Sequence, residues 1–544
     1  MTSRHASAHF VRSAILVDDR AYSPSSVEPT KDKIRKPPRI EDRRTDKENE
    51  PSTPPEPDAT KDVAHDLNAD AVVRSFAREG VLCSIRAPDS TSPEEVAEQV
   101  LPVAEHADLV ILDWVLDPGG GGEGEETSEI VVRLAQTAMT SASSPQFRAI
   151  VIYTGSPNLK DILSLLKERF EAIEPPLECV EEDFALRIGS VRIAVYAKPD
   201  NSFDAESPEI DRIVGWDDLV HKAIDEFAAL NQGMVRATAL VAVATVRDET
   251  YRILERFRRE LDAPYLTHRG LLPEPDDAIP FLLELIASEV AETIEGSSAG
   301  DAVSEGALKS WLDVEVGRRE FGRIFQDGHE PSSDEVMALL RLGYKRAKTE
   351  NNQISLSNNS AKEGRLTQAF SEPGEADNET AFLASCSQLD REFAALVATR
   401  VCTTQPRFLR AGHVLRLEGD GKDFWLCIQP YCDSVRLNGP TRFPLAPLEE
   451  VEEQVEFAML VDEVFRTFRV DCAPREITHL EFEPTPGSDR IALPSSPCQI
   501  QTKGGKEVKV LGELRFSHIQ RILNRFGETS ARVGPDVYEW LRIR

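Results

Sequence analysis

The chain has 544 residues and a formal net charge of -31, a length that at about 150 residues per domain predicts several folded units. The acidic excess argues against binding a phosphate backbone, which needs clustered Lys and Arg to displace counterions, so nucleic acid is not the expected partner. No run approaches the roughly 18 to 20 apolar residues that span a bilayer, Met1 to Arg12 lacks the apolar core of a secretory signal, and the scattered cysteines suit reduced thiols, all of which points to a cytoplasmic protein with no membrane partner.

The first apolar run, Ala14 to Val17, is short and β-prone and ends in Asp18 and Asp19, as a buried parallel strand delivering carboxylates at its C-terminal end would. Residues 22–62 hold eight prolines and dense mixed charge, a composition that cannot bury enough surface to offset chain entropy, and are read as a disordered insertion. The basic cluster Lys31 to Arg44 lies inside it, diluted by Asp32, Glu41 and Asp42, and reads as solvated linker. Helix and strand then alternate. A helix is predicted over 67–78, a strand over 81–85, a helix from Ser92 to about His106 and a strand over 108–116. A glycine-rich loop and a helix over 128–140 follow, then a strand over 149–154, a helix over 159–172, a strand over 191–197 and a closing helix over 216–227. Five strands alternating with helices imply an α/β domain with a doubly wound, five-stranded parallel sheet, its functional groups gathered at the strand C-termini.

Beyond residue 230 the signals are mainly helical as far as 346, and residues 347–380 read as a polar linker. From 381 to the end, strand-like segments such as His413 to Leu417 and Phe424 to Ile428 between Gly and Asp turns predict a small β-rich domain, closed by a helix over about 516–526. The expected organisation is therefore multidomain: residues 1–230, a helical region 231–346, the linker, and the β-rich domain.

Strand ends place Asp18, Asp19 and Asp113 at one edge of the sheet, with Thr154 from the fourth strand and Lys198 from the fifth. Clustered carboxylates repel one another unless a hard divalent cation such as Mg2+ sits among them. A lysine can stabilise charge on a transferring phosphoryl group, and a threonine hydroxyl can hydrogen-bond it once it is attached. This order, with Asp113 in Val-Ile-Leu-Asp-Trp, Thr154 in Ile-Tyr-Thr-Gly and Lys198 in Ala-Lys-Pro, resembles the receiver domain of bacterial response regulators, a flavodoxin-like fold. The resemblance covers about the first 230 residues. It implies that Asp18 and Asp19, with Asp113 and the backbone carbonyl of Val115, hold Mg2+, that Asp113 is phosphorylated, that Thr154 acts as a switch and that Lys198 binds the phosphoryl group. It further implies a partner histidine kinase, a downstream effector protein, and no enzymatic turnover beyond self-phosphorylation and self-dephosphorylation. The later segments resemble in texture those of enlarged receiver proteins of phage defence, which suggests an antiviral setting.

Departures from the family pattern are visible in the residues. Pro118 follows Asp113 by five positions where four is usual, and Val195 stands three before Lys198 where a switch aromatic is usual, with Tyr196 one residue late. Side chains alternate along a strand, so Tyr196 is expected to face away from the switch pocket. Gly119 to Gly122 lack the following Lys-Ser/Thr of a phosphate loop and read as a flexible loop. Cys427 and Cys432, with His413 and Cys402, lack the spacing of a paired cysteine knuckle, and Cys427 reads as a buried thiol. Pro430 to Asp433 reads as a structural turn. Two alternatives to a phosphorelay stay open in the residues alone: a scaffold that uses the receiver fold without phosphorylation, and an enzyme with an unrecognised C-terminal site.

Overall fold

The computed structural model describes residues 3–21, 67–89, 92–116, 124–140, 147–199, 201, 203, 206–325, 329–350, 356, 365–371, 379–400, 407–417, 423–494 and 498–530. The chain forms two compact units, Met1–Leu308 and Lys309–Arg544. The insertion 22–62 with its basic cluster, Pro118, Gly119 to Gly122 and Cys402 lie outside the described residues.

The first unit opens with α1 (Ser3–Phe10), β1 (Ser13–Val17), α2 (Ala69–Arg78), β2 (Leu82–Arg86), α3 (Pro93–Ala104), β3 (Leu109–Leu112), α4 (Glu125–Thr140) and β4 (Arg148–Thr154). It continues through α5 (Leu159–Ala172), β5 (Val180–Glu182), β6 (Ala185–Ile188), β7 (Val191–Ala197), α6 (Leu219–Leu230) and α7 (Met234–Asp248). Local chemistry sets several boundaries. The Asn68 side chain accepts from the Ala71 amide at the start of α2, and Pro93 takes the first position of α3, where its missing N–H is no loss. Strands β3, β4 and β7 are buried along their whole length, as apolar strands covered on both faces must be.

The strands lie in the order β2-β1-β3-β4-β7-β6-β5. The first five are parallel, and helices cover both faces. Val110, Leu112, Ile150, Ile152 and Val195 face the core beneath α3, α4 and α5. Ile111, Val151, Tyr153 and Tyr196 face the opposite core beneath α1, α2, α6 and α7. The five-stranded sheet of the sequence reading is thus the parallel part of a seven-stranded one. The two extra strands are antiparallel, β6 on β7 and β5 on β6. The three residues of β5 are all exposed, whereas β6 buries Ala185, Leu186 and Ile188; the pair is too short to stand out as strands by pattern, and register with β7 defines it. Helix α1 is likewise unannounced by its polar sequence. It is fixed by packing on α6 and α7, including a stacked contact of Phe10 on Phe227 at 5.7 Å between ring centres.

After α7 come α8 (Thr250–Arg256), α9 (Asp262–Leu271) and α10 (Ala278–Glu295). Helix α11 (Glu305–Glu315) carries the chain into the second unit, which continues with α12 (Ser333–Leu342), α13 (Tyr344–Glu350), α14 (Arg365–Phe370) and α15 (Glu379–Ala398). Much of the polar stretch 347–380 is outside the described residues, which there include α14. Strands β8 (Thr399–Arg400), β9 (Arg407–Phe408), β10 (His413–Arg416), β11 (Phe424–Cys427), β12 (Thr441–Glu450) and β13 (Phe457–Val461) follow. Then come β14 (Val464–Val470), β15 (Thr478–Phe482), β16 (Ala492–Leu493), β17 (Gln499–Gln501), β18 (Glu507–Leu514) and α16 (Phe516–Ser530). Nine of these strands make one antiparallel sheet in which the long β12 pairs with β11, β14 and β15. One apolar cluster joins Phe424, Phe457 and Phe468 to Ile519 and Ile522 of α16, and a second gathers Leu415, Cys427, Phe443 and Phe482. Among the described residues, no helix is long and apolar enough to cross a membrane.

Phe170 of α5 is fully buried in the core beneath α3 to α5. Phe170→Ala is expected to destabilise the first unit by about 3 to 5 kcal/mol through the cavity it leaves. Leu82→Ala, at a side chain 77 % exposed, should shift stability by no more than about 0.5 kcal/mol. Denaturant unfolding distinguishes the two, and equal effects would contradict this account of the core.

Candidate functional site

Parallel strands end on a common edge, and their order sets which side chains meet there. Asp18 and Asp19 follow β1, Asp113 follows β3, Thr154 closes β4 and Lys198 follows β7, with β1, β3, β4 and β7 adjacent in the sheet. The ladder runs one residue past the strands: the Asp113 amide donates to the Val17 carbonyl at 2.9 Å, and the Lys198 amide to the Thr154 carbonyl at 2.8 Å. These bonds hold the backbones of the acid and the amine in register.

At the centre, the Lys198 ammonium donates to Asp18 Oδ2 at 2.8 Å and to Asp113 Oδ2 at 2.5 Å. Lys198 and Asp18 are buried, and the second Asp18 oxygen accepts from the Arg20 amide at 2.9 Å. Burial disfavours the charged lysine, yet the neighbouring Asp113 and Asp18 outweigh it and hold its pKa above the usual value. For Asp113, burial pushes the carboxyl up and Asp18 adds to that, against the lowering effect of Lys198. Asp19 is half-buried, and burial together with Asp18 and Asp113 raises it to about 6.

Each of Asp18, Asp19 and Asp113 offers a carboxylate oxygen within 4.8 Å of the others. Three carboxylates against the one ammonium of Lys198 leave an excess of negative charge, and an all-oxygen donor set with that excess suits a hard divalent cation such as Mg2+. Val115 is half-buried two residues beyond Asp113, packed against the α3 to α5 core. The buried Thr154 hydroxyl accepts from the Ser156 amide at 3.0 Å.

Tyr196 lies on the other side of the sheet from Thr154. Thr154 shares the face of Ile152 and Val195, whereas Tyr196 packs beside Tyr153 in the core under α6. Its hydroxyl donates to Glu226 Oε1 at 2.5 Å, and Arg192 holds the other oxygen of Glu226 at 2.6 Å. The guanidinium of Arg212 lies over the Tyr196 ring at 4.9 Å. Burial and Glu226 push the phenol well above its ordinary pKa, so it stays a hydrogen-bond donor.

Three supporting residues escape a sequence reading. The buried Thr127, in the first turn of α4, donates its hydroxyl to the Asp113 carbonyl at 2.6 Å. Asn201 donates to the Thr154 carbonyl at 3.1 Å, tying the ends of β4 and β7. Gly124, at φ +79°, sets its backbone against Trp114, where a Cβ would lie 2.1 Å from the indole ring. A Thr at a helix start and a Gly before it are the only sequence traces of these contacts.

The candidates in the second unit sit in ordinary surroundings. Cys427 is fully buried among apolar side chains, which raise its thiol to about 12. Cys432 is exposed on the short turn Tyr431–Asp433, which is braced by Gln429 donating to the Asp433 carbonyl at 2.8 Å and by Arg410 over the Tyr431 ring. His413 is buried, with Nδ1 3.1 Å from the Arg410 carbonyl.

A doubly wound sheet with paired acids after β1, an acid after β3, a hydroxyl closing β4 and a lysine after β7 defines a phospho-acceptor type of domain. Residues 10–203 match the family model of the response receiver domain. The protein therefore contains a receiver domain, enlarged by the β5–β6 hairpin and by the insertion after Ala21. No curated protein and no solved structure matches the chain.

Since Asp19 titrates near 6 in the fold against 3.8 for a free side chain, the fold favours its protonated form. Its contribution to stability is full below about pH 4 and is lost as pH rises through 6. In chelator, Asp19→Asn should therefore stabilise the protein at pH 7 by about 1 kcal/mol, screening by water having reduced the full effect of the shift. At pH 4 it should do little, and the gain at pH 7 should shrink when Mg2+ is added. Denaturant titrations at both pH values test this, and pH-independent differences would contradict it.

Proposed function

We propose that this is a response-regulator-like signalling protein of the cytoplasm, in which Asp113 accepts a phosphoryl group from a partner histidine kinase and the change is relayed to the C-terminal region and a downstream effector protein. The observation that carries the reading is the Lys198 ammonium 2.5 Å from an Asp113 oxygen, inside a cluster that also holds Asp18 and Asp19. That is the charge arrangement which phosphoryl transfer to a carboxylate requires.

In the transfer, a carboxylate oxygen of Asp113 forms a bond to phosphorus as the bond from phosphorus to the kinase imidazole nitrogen breaks. The electron pair stays with the imidazole. Lys198 lies where it can balance negative charge on the transferring oxygens, and the Thr154 hydroxyl can turn from the Ser156 amide to donate to the new phosphate. Asp18, Asp19 and Asp113, with the Val115 carbonyl, would hold Mg2+, which supplies positive charge against the repulsion between carboxylate and phosphoryl group. Attack of water on the acyl phosphate restores the carboxylate and releases inorganic phosphate. Thr127 and Asn201 position the backbones on which Asp113 and Lys198 stand. The texture of the later segments supports a phage-defence setting for this relay.

The wild-type chain with Mg2+ and acetyl phosphate should acquire a hydroxylamine-labile phosphoryl group, seen by intact mass. It should also respond to beryllofluoride through the fluorescence of Trp114, beside the acceptor. Asp113→Asn should abolish both responses, and Lys198→Ala should slow labelling by roughly tenfold to a hundredfold. Tyr196→Phe, on the opposite face, should leave the labelling rate unchanged. A wild type that takes no label, or a label that survives Asp113→Asn, would overturn the reading.

A further inference from the structure

The parallel ladder between β1 and β3 ends at the acid cluster. In such a ladder an extended residue donates to one position of the neighbouring strand and accepts from the position two further on. Asp113 donates its amide to the Val17 carbonyl at 2.9 Å, so continuation would have the Asp113 carbonyl accept from the Asp19 amide. Among the described residues that bond is absent. Past Val17 the chain turns instead, with the Asp18 carbonyl accepting from the Ala21 amide at 3.3 Å and Asp18 Oδ1 from the Arg20 amide at 2.9 Å. The Asp113 carbonyl takes the hydroxyl of Thr127 at 2.6 Å in place of the missing rung. Thr127 is wholly buried, and the first turn of α4 sets its position. The Ser128 amide and hydroxyl both donate to the Gly124 carbonyl, at 2.9 and 2.7 Å, and Gly124 lies against the Trp114 ring beside the acceptor.

We propose that Thr127 is a positioning residue that keeps the crevice between β1 and β3 open, and so keeps Asp19 turned toward Asp18 and Asp113 as a ligand for a divalent cation. A buried carbonyl without a donor is costly, and the remedy the ladder offers is the Asp19 amide, which makes no hydrogen bond among the described residues. That rung would extend β1 through Asp19. Side chains alternate along an extended strand, so Asp19 would turn to the face opposite Asp18. It would thereby leave the cluster in which the three carboxylates lie within 4.8 Å of one another. One hydroxyl outside the ligand set decides whether that set holds three carboxylates or two. The proposal rests on the reading of Asp18, Asp19 and Asp113 as a cation site.

The full chain is titrated with Mn2+, an ion suited to oxygen ligands whose free form is read by electron paramagnetic resonance. Binding by an Asp19→Asn, Asp113→Asn double variant is subtracted to remove the contribution of the acidic surface. Thr127→Val, which keeps the shape and removes the donor, should weaken binding roughly tenfold to a hundredfold, whereas Thr127→Ser, which keeps the donor, should stay within about threefold of the wild type. Hydrogen exchange at residue resolution, in chelator, gives a reading that needs no metal. The Asp19 amide should exchange freely in the wild type and gain at least about tenfold protection in Thr127→Val. Should Thr127→Val unfold, Thr127→Ala serves in its place. An Asp19 amide already protected in the wild type, or no better protected in the folded variant, overturns the proposal. Wild-type Mn2+ affinity in that variant overturns it as well, as does a folded Thr127→Ser that binds as weakly as the variant without the hydroxyl. A wild type that binds no Mn2+ removes the cation reading instead, and exchange of the Asp19 amide then still decides whether Thr127 holds the crevice open.

Discussion

A buried ammonium shared between two carboxylates organises the first unit. Lys198 is almost wholly removed from water, and an unpaired amine there would carry a desolvation cost that few folds could bear. Its partners, Asp18 and Asp113, stand after different strands, so the pairing requires β1, β3, β4 and β7 to be adjacent, parallel and in register. The ladder bonds one residue past the strands, from Asp113 to Val17 and from Lys198 to Thr154, are the backbone counterpart of that demand. Removing one member of the trio leaves the others charged and buried, so the site and the sheet edge are coupled in stability as well as in position.

The same pairing leaves the site electrostatically unfinished. Asp19 is raised to about 6 because burial and two neighbouring carboxylates work against its charge, and one ammonium cannot neutralise three acids. An all-oxygen cluster with this excess of negative charge has the charge and the ligand type that a hard divalent cation prefers. Thr127, holding the carbonyl of Asp113 from α4, and Asn201, holding that of Thr154, keep this tension from relaxing through backbone movement.

The two faces of the sheet have separate duties. Thr154 and Val195 look toward α3 to α5, while Tyr153 and Tyr196 look toward α6, where Tyr196, Glu226, Arg192 and Arg212 form a buried polar network. Each charge in it is paired, which makes the network rigid and ties β7 to α6. An aromatic bound in this way has little freedom to follow a hydroxyl on the opposite face. The β5–β6 hairpin adds to the constraint by pairing along the free edge of β7 and supplying Glu182 to Arg192.

Much of this unit was legible in the residues. The continuous apolar runs before Asp18, Asp113 and Lys198 can only be strands covered on both faces, and side-chain alternation alone turns Tyr196 away from Thr154. The period of helices such as α5 announces them in the same direct way. What the sequence could not decide depends on partners distant along the chain. The short strands β5 and β6, of four residues or fewer, exist because the edge of β7 offers β6 hydrogen bonds and β6 in turn offers them to β5, and α1 because α6 and α7 offer it a surface. Thr127 and Asn201 matter through single contacts that no spacing encodes. The distances within the acidic cluster, and the burial that raises Asp19, arise only when the strands lie side by side. Local pattern is set by backbone geometry and hydropathy within a few residues, whereas charge, register and desolvation belong to residues that folding alone brings together.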